Sequence, residues 1–238
     1  MITLLSPAKT FSKIKVESAQ VPYFQNEALS LIESLQKIDG SYLMKSMKLS
    51  KNLALDVKNY YQSFGDQKLS AIHTYDGQAF KGLNAHQADL NLLNLMNSRL
   101  YILSGLYGIL KPLDGISYYR LEMRDQTIKN LYTFWKKRIA HYLDEFHKDE
   151  LFINLASSEY SKVLPKNLNM ISIDFMQQQN GKYKSISMFV KKMRGTMARY
   201  LIEHQIKDIE MIKDIVIEGY RYDSNLSKNQ LLIFVKEE

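Results

Sequence analysis

The chain has 238 residues, 45% of them hydrophobic and 24% charged, which suits one sizeable core; with 10 Gly and 4 Pro, collagen-like, linker-rich and disordered compositions are excluded. No apolar run approaches the roughly 18 residues of a membrane span, and the absence of Cys removes disulfides, thiolate metal sites, iron–sulfur clusters and thiol-based redox sensing. The net charge of +7 is localised: Arg99–Lys207 holds 18 Lys/Arg against 10 Asp/Glu, whereas the two flanks together hold 14 against 15. A localised basic field points to a polyanionic partner. A Lys-rich soluble surface is the plainer alternative.

Met1–Pro7 lacks a basic region followed by a long apolar stretch, so it reads as a buried strand, Ile2–Ser6, rather than a signal sequence. Asn26–Gln36 carries apolar residues at helical spacing, and Ser50 is placed to cap a second helix, Lys51–Ser63. Ala71–Tyr75 reads as a short strand entering an Asp76-Gly77 turn, and Ala85–Met96 as a helix. Arg99–Leu103 reads as a strand running into the tight connection Gly105–Gly108, stopped by Lys111-Pro112. Asn130–Phe146 is helical, Leu151–Leu155 a strand, and Ser157–Val163 a short helix. Met170–Phe175 and Tyr183–Phe189 read as strands joined by an Asn180-Gly181 turn; Lys192–Ile206 is a helix and Leu231–Val235 a last strand. Irregular alternation without repeats or a linker predicts a single α+β domain over residues 1–238. Neither common glycine-rich phosphate loop is present.

Five segments carry candidate chemistry. Ser6-Pro7-Ala8-Lys9 follows the first strand and has the Ser-x-x-Lys spacing of penicillin-binding enzymes without their Lys-Thr-Gly companion. On these residues alone, a turn with a solvated lysine is the favoured reading. Gly105–Gly108 could expose backbone N–H groups to a phosphate, as a helix-hairpin-helix element does, with Lys111 beside it. In Tyr118–Arg124, an extended backbone would put Arg120, Glu122 and Arg124 on one face, suited to phosphate contact or to a surface ion pair. Around Ser157, a strand runs into Glu159, Tyr160 and Lys162, as a site or as a local Glu159–Lys162 pair. On the last long helix, Lys192, Gly195 and Arg199 share a side, with Lys191 and Arg194 adjacent; a glycine there invites close approach of a backbone or a phosphate. The five histidines are dispersed, so no metal site and no cofactor are expected.

Taken together, Ser6–Thr10, Leu103–Pro112 with Asp114, Tyr119–Met123, Asn154–Ser157 with Glu159, Tyr160 and Lys162, and Lys191–Arg199 resemble the YaaA family. So do Asp76-Gly77 with Gly82-Leu83, Phe134-Trp135 and Gly219–Tyr222. The family is bacterial, and the resemblance implies a cytoplasmic protein of peroxide resistance that limits iron-driven damage. It also implies a fold with a basic cleft and a helix-hairpin-helix element that binds double-stranded DNA. Arg124 departs from the family pattern, which has Gly there. On this reading Lys9, Gly105, Gly108, Lys111, Arg120, Lys162, Lys191, Lys192, Arg194 and Arg199 are the candidate DNA contacts. Ser6, Glu122, Ser157, Glu159 and Tyr160, with Lys9, Arg120, Lys162 and Arg194, are the alternative: a pocket for a small phosphorylated or nucleotide-like ligand, with or without catalysis.

Overall fold

A computed structural model describes residues 1–237; Glu238 lies outside the described residues. The elements run β1 (Ile2–Leu5), α1 (Gln25–Gln36), α2 (Gly40–Ser46), α3 (Lys51–Gln62), β2 (Leu69–Ser70), α4 (Ala71–Thr74), α5 (Gln78–Leu83) and α6 (Leu90–Arg99). They continue with β3 (Leu100–Ser104), β4 (Gly108–Leu110), β5 (Gly115–Ile116), α7 (Leu131–His147), β6 (Phe152–Asn154), α8 (Ser158–Ser161), β7 (Met170–Gln179) and β8 (Lys182–Lys184). The chain closes with α9 (Ser187–Glu203), α10 (Ile209–Lys213), β9 (Val216–Ile217), β10 (Tyr220–Lys228) and β11 (Leu231–Lys236).

The fold is a mixed α+β domain built on one nine-stranded sheet. Its centre is parallel, in the order β3-β1-β6-β7-β11. Antiparallel β4 borders β3, and β10 and β9 extend the other side beyond β11. Strands covered on both faces need continuous apolar runs, and Ile2–Leu5 and Leu100–Ser104 are buried at every position. A separate two-stranded ribbon pairs β2 with β5.

Four helix starts are fixed by side-chain caps. Asp39, Ser50, Asp89 and Asp208 each accept a backbone N–H from the first turn of α2, α3, α6 and α10. The α9 helix buries Val190, Met193, Met197 and Leu201 and crosses α5 at very short range. Both glycines at that crossing are sterically required: a Cβ on Gly82 would stand 2.1 Å from the Lys192 carbonyl oxygen, and one on Gly195 1.7 Å from that of Ala79. The glycine in the basic helix therefore serves a backbone neighbour. Among the described residues, no helix is long and apolar enough to cross a membrane.

Three expectations are corrected. Ala71–Thr74 is a turn of helix rather than a strand, and the strand lies just before it, at Leu69–Ser70. Tyr183–Phe189 divides: β8 stops at Lys184, and Phe189 already belongs to α9. The Gly105–Gly108 segment joins two strands, β3 and β4, in a hairpin with Ser104 opposite Gly108, so it is not a helix-hairpin-helix. Its N–H groups are not available to a phosphate: those of Leu106 and Tyr107 donate to Ser104 Oγ at 3.2 and 3.0 Å. Gly105 and Gly108 are buried, Trp135 Nε1 donates to the Gly105 carbonyl at 2.8 Å, and the Trp135 ring leaves no room for a Cβ on Gly108.

Candidate functional site

The carboxyl ends of β1 and β6, parallel neighbours in the sheet, open into a cleft of about 500 Å³. Loops leaving such strand ends are where open parallel sheets bind ligands. The loop after β1 supplies Ser6, Lys9 and Thr10, and the segment after β6 supplies Leu155, Ser157, Glu159 and Tyr160. The Ser157 N–H donates to Ser6 Oγ at 2.8 Å, which ties the two loops together. The start of α5, the Lys191 and Arg194 positions of α9, and the strap carrying Glu122 and Arg124 complete the walls.

Charge in this cleft is organised around two carboxylates. Glu122 receives Lys9 Nζ at 2.7 Å, Arg120 Nη2 at 3.6 Å and Arg124 Nη2 at 3.9 Å. Glu159 receives Arg124 Nε at 3.4 Å and accepts the Arg124 backbone N–H at 3.3 Å. Arg194 reaches Asp174 at 3.2 Å from the adjoining strand β7. The lining thus holds four cations, Lys9, Arg124, Lys191 and Arg194, against Glu122 and Glu159. Lys191 has no ion-pair partner among the described residues. The buried Nε atoms of Arg120 and Arg194 have no hydrogen-bond partner, so the protein leaves both guanidinium groups partly unsatisfied. Burial pushes the Tyr160 hydroxyl well above the ordinary phenol range, keeping it a protonated donor.

The arrangement suits an anion with several oxygens. Cations and hydroxyls converge on one recess beside the two ion-paired carboxylates. Lys9 is engaged by Glu122 and Ser6 Oγ by Ser157, so the contacts are not those of a lysine-activated serine.

Of the residues singled out in the sequence, Ser6, Lys9, Glu122, Ser157, Glu159, Tyr160, Lys191 and Arg194 meet in this cleft. Arg120 joins through Glu122, and its backbone is pinned by the Tyr61 hydroxyl, which donates to the Arg120 carbonyl. The others are elsewhere. Lys192 pairs with Glu218 at 2.9 Å. Arg199 pairs with Glu203 at 3.0 Å and donates to the Asn84 carbonyl at 2.8 Å, closing the end of α5. Lys111 lines a separate recess with Tyr101, Tyr142 and His147. Lys162 is exposed beyond α8, and Glu159 pairs with Arg124 rather than with it. Sequence reasoning did not place Asp174 or the Gln78–Phe80 wall; the only pointer was the Asp76-Gly77 turn that precedes it. The shared face of Glu122 and Arg124 was expected from the alternation in Tyr118–Arg124, but the contact of Arg124 with Glu159, which makes it bridge both carboxylates, was not.

A second groove of about 510 Å³ shares Lys9 and Thr10 with the cleft and runs along Phe11, Tyr60, Tyr118 and Arg120. Among the described residues, no cluster of three His, Asp or Glu side chains is arranged to hold a metal ion.

Comparison with known proteins places this architecture. A family model described as peroxide stress protein YaaA matches residues 1–226. The chain is similar to a UPF0246 protein of Crocosphaera subtropica, 36% identical over 250 residues that cover 99% of this chain and 100% of the relative. It is also similar to UPF0246 proteins of Clostridium botulinum (37% identical, 100% of both chains) and of a Marinomonas species (38% identical, 99% of this chain and 96% of the relative). A full-length relationship at this identity leaves one assignment: the chain belongs to the peroxide stress protein YaaA family.

Proposed function

We propose that this protein serves peroxide resistance by binding a small phosphorylated, nucleotide-like ligand in the cleft at the ends of β1 and β6. The limitation of iron-driven damage implied by the family resemblance belongs to the same proposal. One observation carries the reading: residues far apart in sequence, from Ser6 to Arg194, converge on a single recess with more cations than carboxylates. The sequence ranks duplex DNA first; the small-ligand reading is put ahead of it here because several of the candidate DNA contacts are engaged within the chain. Gly105 and Gly108 are buried, and Lys192 and Arg199 are committed to contacts within the chain. The test is thermal unfolding with and without AMP, since a ligand that binds only the folded state raises the midpoint by mass action. The midpoint should rise for the wild type and not for Lys191→Ala/Arg194→Ala. No rise with AMP or with ribose 5-phosphate at millimolar concentration rejects the reading.

Double-stranded DNA remains a second reading because of a different element. The α2 and α3 helices are joined by Met47–Ser50, with Lys48 at φ 54° and exposed Lys45, Lys48 and Lys51 around the turn. A tight turn between helices, entering the N-terminal end of the second, suits a phosphate contact that ignores base identity. If each of these three lysines neutralises about one phosphate, the log–log salt slope of binding is near −3. A fluorescent duplex titrated across salt, with Lys48→Ala/Lys51→Ala as control, tests it; a slope near zero rejects it.

A further inference from the structure

The groove beside the cleft has two kinds of wall that a purely structural patch would not need together. One is aromatic. Phe11 stacks on Tyr118 with ring centroids 4.7 Å apart and planes at 20°, and Tyr60 meets both rings edge-on at 6.0 and 5.6 Å. All three rings stay half-exposed. The other wall is cationic: Lys9, Lys13, Lys15 and Arg120 line the groove, and no carboxylate does. Glu122 answers Lys9 and Arg120 from outside the groove, but Lys13 and Lys15 have no ion-pair partner among the described residues, and packing the loop after β1 onto α3 would account for the rings but not for that cationic excess.

We propose that this groove is a nucleobase-stacking subsite, and that the ligand of the adjoining cleft is a nucleoside 5′-phosphate unit. The base lies against the Phe11, Tyr60 and Tyr118 rings, and the phosphate turns into the cleft past Lys9, the cation both spaces share. Half-exposed rings beside cations are the usual platform for an unpaired base, because every base has a face to stack and the backbone phosphate needs a positive neighbour. The groove's volume of about 510 Å³ falls in the range of small-molecule sites. The unit could arrive as a free mononucleotide or as an unpaired residue of a strand, since both present the same base and phosphate. This inference rests on the phosphate reading of the cleft.

Calorimetric titration of the full chain with AMP and with ribose 5-phosphate separates the two ideas without any variant. The two probes share the phosphorylated sugar and differ in the base. AMP should bind about 10-fold tighter or more, the scale of one base–aromatic stack. Tyr118→Leu and, separately, Tyr60→Leu should bring AMP down towards ribose 5-phosphate and leave the latter unchanged. Octathymidylate against an abasic octamer supplies the strand arm. A base-dependent preference there with no AMP preference supports the subsite and identifies a strand as its source. Equal affinity of AMP and ribose 5-phosphate, with equal affinity of the two octamers, overturns the stacking site and leaves the phosphate reading standing. No binding of any probe overturns both.

Discussion

Gly195 of α9 faces the Ala79 carbonyl of α5 so closely that a Cβ would stand 1.7 Å from the oxygen, and Gly82 faces Lys192 in the reciprocal way at 2.1 Å. The contact sets the cleft as well as the core, because Gln78, Ala79, Lys191 and Arg194 are wall residues on these two helices. Gly195→Ala must push the helices apart, since backbone atoms rather than a flexible side-chain end block the methyl. Overpacking of this kind is expected to lower stability by about 3 kcal/mol or more. Urea denaturation checks it, and Gly40→Ala is the control, because nothing lies within 4 Å of the Cβ it would add.

Lys191 and Arg199 lie on one basic helix yet should respond oppositely. Arg199 donates to the carbonyls of Leu83 and Asn84 at 3.4 and 2.8 Å, so Arg199→Ala is expected to cost about 1–2 kcal/mol of stability through lost charge-assisted hydrogen bonds. Its effect on ligand affinity should be small. Exposed Lys191 should show the reverse: stability unchanged within about 0.5 kcal/mol, and affinity for a phosphorylated ligand lowered about 5-fold or more. Paired unfolding and titration curves read both.

Asp114 is buried behind Lys111, with its carboxylate accepting the Lys111 N–H at 2.8 Å, and burial pushes its pKa up to about 6. A carboxyl group held above its unfolded value binds its proton more tightly in the folded state. Its contribution is therefore most favourable at low pH and is lost as pH rises from about 4 to about 6. Asp114→Asn keeps an oxygen to accept the N–H and removes the buried charge. The variant should lose this decline and gain up to about 3 kcal/mol relative to wild type at pH 7. Urea midpoints at pH 4.5 and 7 measure it; parallel curves would contradict it.

The central strands were legible because burial on both faces demands uninterrupted apolar runs, as in Ile2–Leu5 and Leu100–Ser104. The β7–β8 turn was legible from Asn180-Gly181, both of which take positive φ. Elements too short for a period were not. Ala71–Thr74 is one helical turn, and four β-compatible residues cannot announce it. The α5 helix was hidden by Gly82, which a local reading counts against a helix and which the crossing with α9 requires. Half of the site was readable as residue types near strand ends. Whether a cation faces a ligand or its own chain was not, because Lys192, Arg194 and Arg199 differ only in which distant carboxylate or carbonyl the fold brings to them. The Gly105–Gly108 turn was misread for the same reason: Trp135, 27 or more positions onward in sequence, is what buries it.

Glu122 is the centre of the account, since it holds Lys9, Arg120 and Arg124 and competes with any anion for them. The most direct measurement is calorimetric titration of ribose 5-phosphate into wild type, Glu122→Gln and Arg194→Ala. Removing the competing charge should tighten binding about 3- to 10-fold, and removing the Arg194 cation should weaken it about 10-fold or more. Opposite signs from two neighbouring residues would be hard to produce by general damage to the fold. Weakening in both variants, or no binding in any of the three proteins, would contradict an anion-binding cleft.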